Sequence, residues 1–100
     1  MNLAQKRVVA DTDAVRITVW SFEPKSVTGH HLHEFDYVVV PVSGGNFTVT
    51  AADGGNSEMT QVPGGAYTRP AGSEHDIANA GSAPAVFVEV ELKQGSDHSR

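Results

Sequence analysis

Residues 64–79 read Gly64-Gly65-Ala66-Tyr67-Thr68-Arg69-Pro70-Ala71-Gly72-Ser73-Glu74-His75-Asp76-Ile77-Ala78-Asn79. Glycine permits left-handed backbone without a Cβ clash, and proline presets φ for a turn. The stretch therefore divides into a turn at Pro63-Gly64-Gly65, a short strand Tyr67–Arg69, a turn at Pro70–Ser73 and a strand over Glu74–Ala80. His75 falls at the start of that last strand. Taken alone, it reads as an ordinary histidine satisfied by a backbone carbonyl.

The same grammar extends in both directions. Towards the C-terminus, Gly81–Pro84 turns the chain, and Ala85–Leu92 alternates Val86, Val88, Val90 and Leu92 against Glu89 and Glu91. Towards the N-terminus, Glu58–Val62 is a strand returning from a hairpin tip at Asp53–Asn56, paired with Asn46–Ala51. Ser43-Gly44-Gly45 turns before that. Tyr37–Val42 is strongly β-prone, although Pro41, which has no N–H to donate, requires an edge or bulge position. His30–Val42 divides into two strand-like halves around Glu34–Asp36. Ala14–Phe22 has period two, with Val15, Ile17 and Val19 opposite Arg16, Thr18 and Trp20, and is broken by Glu23–Lys25. Residues up to Ala10 form a first edge strand through Val8 and Val9, and the tail from Gln94 is polar and frayed. Short strands with regular turn signals predict an all-β sandwich or barrel.

Bulk properties agree. One hundred residues make one domain, and its apolar residues are mainly Val, Ala, Ile and Phe, which suit pleated, half-buried strands. The formal charge is −5 and the seven Lys and Arg are scattered, which argues against a nucleic-acid partner. No apolar run approaches the roughly 18 residues of a membrane span, and the N-terminus has no signal-peptide core. With no cysteine, any metal site must use histidine and oxygen ligands, and a cytoplasmic location is expected.

Histidines stand at 30, 31, 33, 75 and 98. Residues i and i+2 of a strand share a face about 6.6 Å apart, close enough for two imidazoles to converge on one ion at roughly 2.0–2.1 Å each. That spacing pairs His31 with His33 and turns His30 away.

The stretch 64–79 matches the second cupin motif, G-x5-P-x-G-x2-H-x3-N, at every fixed position. His31-Leu32-His33 through Gly44 resembles the first, G-x5-H-x-H-x3,4-E-x6-G, in its two histidines and its closing glycine. The chain thus resembles a small single-domain cupin across about half its length. The resemblance implies a double-stranded β-helix, or jelly-roll barrel, holding a divalent metal on His31, His33 and His75. Two positions depart from the pattern. Lys25 stands where the first motif begins with glycine, and Tyr37 stands where it has glutamate. Tyr37 shares parity with His31 and His33, so a phenol rather than a carboxylate should face the interior. Glu34, Asp36, Glu74 and Asp76 have the opposite parity and should point outward. Asn79 supports its turn, and Trp20 and the phenylalanines fill the core.

Three neutral ligands leave a divalent ion its full +2 charge, which favours an anionic, chelating organic ligand. The ligand set resembles that of three-histidine cupin dioxygenases, which cleave β-diketones or oxidise small thiols. On that resemblance Fe2+ is the expected metal, with Zn2+, Ni2+, Mn2+ or Cu2+ as alternatives. Tyr37, Tyr67 and Arg69 are the candidate catalytic residues. Tyr67 and Arg69 share parity and could hold an anion or orient a ligand, although an outward Arg on a strand is an equal reading. The leading expectation is an Fe(II) dioxygenase acting on a small anionic substrate such as a β-diketone. The other is a non-enzymatic ligand-binding or sensing cupin. A homodimer formed through the N- or C-terminal strand is expected, because pairing buries apolar area that so small a chain lacks.

Overall fold

The structure, a computed structural model, describes residues 2–93; the polar tail from Gln94, with His98, lies outside the described residues. Nine strands follow in order: β1 (Gln5–Asp11), β2 (Val15–Phe22), β3 (His31–Leu32), β4 (Asp36–Pro41), β5 (Gly45–Ala51), β6 (Asn56–Gln61), β7 (Tyr67–Arg69), β8 (Glu74–Asn79) and β9 (Ala85–Leu92). There is no helix among the described residues, hence none long and apolar enough to cross a membrane. The strands form two antiparallel sheets, β1-β2-β9-β4-β7 and β3-β8-β5-β6. This is the expected all-β double-stranded β-helix.

The core lies between the sheets. Phe22, Phe47 and Phe87 meet there with ring centroids 5.3–5.7 Å apart, joined by Trp20, Tyr37, Val39, Ile77 and Ala85. Burying each such aromatic stabilises the fold by roughly 1.5–3 kcal/mol. The inward face of β2 is Thr18, Trp20 and Phe22, and that of β9 is Ala85, Phe87 and Glu89. The valine-rich faces of both strands lie on the outer side, half-buried.

Several details refine the sequence reading. Gly45 and Asn56, expected in turns, each begin a strand; Asn56 pairs with Thr50, whose hydroxyl donates to its Oδ1 at 2.8 Å. Gly44 keeps the turn, at φ 75°, and a Cβ there would lie 2.7 Å from Pro63 Cδ, so the motif's closing glycine has a steric reason. Pro41 ends β4 opposite Phe87, past the last β7 partner at Val39, where no second ladder bond is required of it. Lys25 adopts φ 70°, a left-handed conformation that glycine accepts freely, so its turn forms despite the substitution.

Candidate metal centre

His31 and His75 are direct cross-strand partners in the β3–β8 ladder. β3 ends at Leu32, but His33 stays held by backbone: its N–H donates to Ser73 at 2.8 Å, and its carbonyl accepts from Gly72 at 2.8 Å. The Pro70–Ser73 turn thus positions two ligands at once, by starting β8 at His75 and by clamping His33.

The three imidazoles converge through Nε2. His33 Nε2 lies 3.0 Å from that of His31 and 3.2 Å from that of His75. Two nitrogens each about 2.0–2.1 Å from one ion, subtending roughly 90–100°, would lie about that far apart. His31 Nδ1 is 2.8 Å from the Gly29 carbonyl oxygen. A carbonyl can only accept, so Nδ1 carries the hydrogen and the Nε2 lone pair faces the centre, the usual arrangement behind a metal-bound histidine. Burial, reinforced by the neighbouring His31, pushes His33 down to about 3 and His75 to about 4, so both are neutral at physiological pH. The donor set fits a divalent transition metal. The histidines are positioned to bind one in a closed group that includes no carboxylate.

The acids stay outside, as parity implied. Glu34 is exposed, and Asp36 Oδ1 accepts from Ala71 N–H at 2.7 Å. Glu74 pairs with His30 at 2.6 Å, and Asp76 accepts from Gly29 N–H at 3.2 Å. Asn79 bonds Ala83 and Gly81, bracing the turn after β8.

Tyr37 is 2% exposed and stacks on His33, centroids 3.9 Å apart at 21°. Burial, aided by Glu89 and opposed by Arg69, raises its phenol to about 12, so it stays neutral. Tyr67 hydroxyl accepts from Gln61 Nε2 at 3.0 Å and donates to Met59 Sδ at 3.3 Å. Arg69 pairs in register with Tyr37 and lines a cavity of about 230 Å3 with Tyr37, Tyr67 and His75. A wider cavity of about 710 Å3 opens on the other side of the centre, against His31, His33 and Trp20.

Two features escaped the sequence reading. Trp20 belongs to the core as expected, but its ring also stacks over His31 at 6.2 Å, and its Nε1–H donates to Glu89 Oε1 at 3.1 Å. Glu89 faces inward, 6% exposed, and lines both cavities. Its alternation with valines was visible in the sequence, but not which face of β9 is internal.

The comparisons with known proteins agree with this geometry. No protein-family model matches the chain. It is 42% identical over 86 residues to the beta-alanine degradation protein BauB of Pseudomonas aeruginosa, covering 86% of this chain and 90% of that protein. The crystal structure of a cupin domain from Bordetella pertussis Tohama I superposes with a TM-score of 0.88 at 38% identity, covering 92% and 95% of the two chains. A Klebsiella pneumoniae protein with a double-stranded β-helix domain has the same fold, with a TM-score of 0.75 at 22% identity over 91% and 77%. On sequence, fold and the three converging histidines, the chain belongs to the cupin family.

Proposed function

We propose that this cupin is an Fe(II)-dependent dioxygenase acting on a small anionic chelating compound such as a β-diketone. The observation that carries the reading is the all-neutral ligand set: three Nε2 atoms converge, and Tyr37, not a carboxylate, occupies the fourth inward position. A divalent ion held there would keep its +2 charge, attract an anionic chelator and leave positions for O2.

The protein's own groups suit that ligand. Arg69 offers a guanidinium at the narrower cavity, and the Tyr37 and Tyr67 hydroxyls line the same space. Val39, Ile77 and Phe87 supply apolar walls. About 230 Å3 suits a small molecule. The relative from Pseudomonas aeruginosa is named for degradation of beta-alanine, which accords with a part in the breakdown of a small organic molecule.

The test is metal analysis of protein purified without a histidine tag, followed by O2 uptake by the iron-loaded protein with β-diketones and small thiols. Substrate-dependent O2 consumption supports the dioxygenase. Tight metal-dependent binding of the same compounds without O2 consumption favours a ligand-binding or sensing cupin instead.

A further inference from the structure

Among the described residues, Glu89 is the buried carboxylate. It sits on β9 beyond Phe87, paired across the sheet with Thr18 on one side and Val39 on the other. Oε1 accepts the Trp20 indole N–H at 3.1 Å, while no hydrogen bond to Oε2 is formed among the described residues. No cation forms an ion pair with it among them. Burying a carboxylate on a single side-chain hydrogen bond is costly, and a core of aromatic rings would be more stable with an apolar residue there.

Its position gives that expense a use. Glu89 lines both the wide cavity against His31 and His33 and the narrow one against His75, Tyr37 and Arg69. We propose that Glu89 is the internal base that takes the proton of a weakly acidic ligand as that ligand enters the metal centre in its anionic form. The inference rests on the reading that the centre holds an anionic ligand, and it narrows the substrate class. The ligand is a weak acid that is neutral in solution, such as an enolisable diketone, rather than a compound already ionised.

The step balances without redox. The ligand's C–H or O–H bond breaks, its electron pair stays on the ligand, and an O–H bond forms on Glu89. A ligand arriving as an anion would face a second negative charge in the cavity, whereas a weak acid removes that charge as it binds. The charged and titratable groups facing Glu89 or the cavities it lines are Lys6 and Asp11 on β1, Arg16 on β2, Tyr37 on β4, Glu58 on β6, Tyr67 and Arg69 on β7, Glu91 on β9, His30 and the three histidines of the centre. In that setting burial, with Glu91 adding and the Trp20 bond and Lys6 opposing, raises the Glu89 carboxyl to about 7. A base in that range suits proton abstraction near neutral pH.

The test uses the zinc-loaded protein, which is redox-silent, with acetylacetone as probe at pH 8. Enolate absorbance reports the bound anion, and calorimetry in two buffers of different ionisation enthalpy counts the protons released. Wild type is expected to show the enolate with well under one proton released per ligand. Glu89→Gln, nearly isosteric, should release a full proton, and Glu89→Asp should restore the low proton count. Equal proton release by wild type and Glu89→Gln, with the enolate visible in both, overturns the role of Glu89 alone. No enolate in either protein overturns the anionic-ligand reading beneath it, and the inference with it.

Discussion

Glu89→Gln in the metal-free protein should alter stability in a way that depends on pH. The Glu89 carboxyl ionises at about 7 in the folded state against an ordinary 4.5, chiefly through burial. Below pH 4.5 both states hold the proton and Glu89 adds nothing. Between pH 4.5 and 7 the unfolded chain loses its proton while the fold keeps it, so stability falls; above pH 7 the loss is complete and constant. A shift of this size corresponds to about 3 kcal/mol. The Gln amide can still accept from Trp20, but its NH2 lacks a partner, which costs about 1 kcal/mol. Relative to wild type, Glu89→Gln should thus be slightly less stable at pH 4 and about 2 kcal/mol more stable at pH 8. Urea denaturation followed by Trp20 fluorescence at both pH values measures the difference. At this chain length 2 kcal/mol corresponds to roughly 8–16 °C in Tm. An effect of the same sign and size at both pH values would show that Glu89 is not buried as a titrating acid.

Four other outcomes are expected. His31→Ala, His33→Ala and His75→Ala should each lose stoichiometric metal, whereas His30→Ala should retain it, as read by metal analysis after dialysis. Tyr37→Glu should tighten binding of a hard divalent ion by at least about tenfold through an added anionic ligand, and weaken anionic chelators; unchanged affinity there, with metal lost in Asp36→Ala or Glu34→Ala, would mean the register is wrong. Lys25→Gly should raise Tm by a few degrees, since relief of about 1–2 kcal/mol of left-handed strain exceeds the entropy that glycine adds to the unfolded chain. Sedimentation velocity at micromolar concentration should show a dimer, because a chain this small gains needed apolar burial by pairing.

The turns and the histidine pair were legible because their determinants are local. The Pro70–Ser73 turn is written in Pro70 and Gly72, and the shared face of His31, His33 and Tyr37 follows from parity alone. The inward acid was not legible. On β9 hydropathy favours Val86, Val88 and Val90 as the internal face, yet these lie outside and Glu89 within. Only the pairing of β9 between β2 and β4 decides that orientation, and the partner that steadies Glu89, Trp20, lies 69 residues away in the chain. The Tyr37–His33 stack was foreseeable as proximity but not as a ring contact. β3 was expected to be longer; among the described residues no strand pairs with its outer edge, and two ladder residues suffice because the Ser73 and Gly72 bonds carry His33.

β3 is also the edge strand of its sheet, and its two ladder residues include His31, opposite His75. An ion held by both would act as a reversible crosslink between distant points of the chain. Without it, the β3 edge rests on a few backbone bonds and opens at little cost, baring the Glu74–His75 end of β8 to another strand, while Lys25–Thr28 still bond the Ile77–Asn79 end. Metal loading would then govern shelf life as well as chemistry: chelated samples should exchange the β8 amides faster and associate edge to edge, and returning the metal should reverse the first change but not the second.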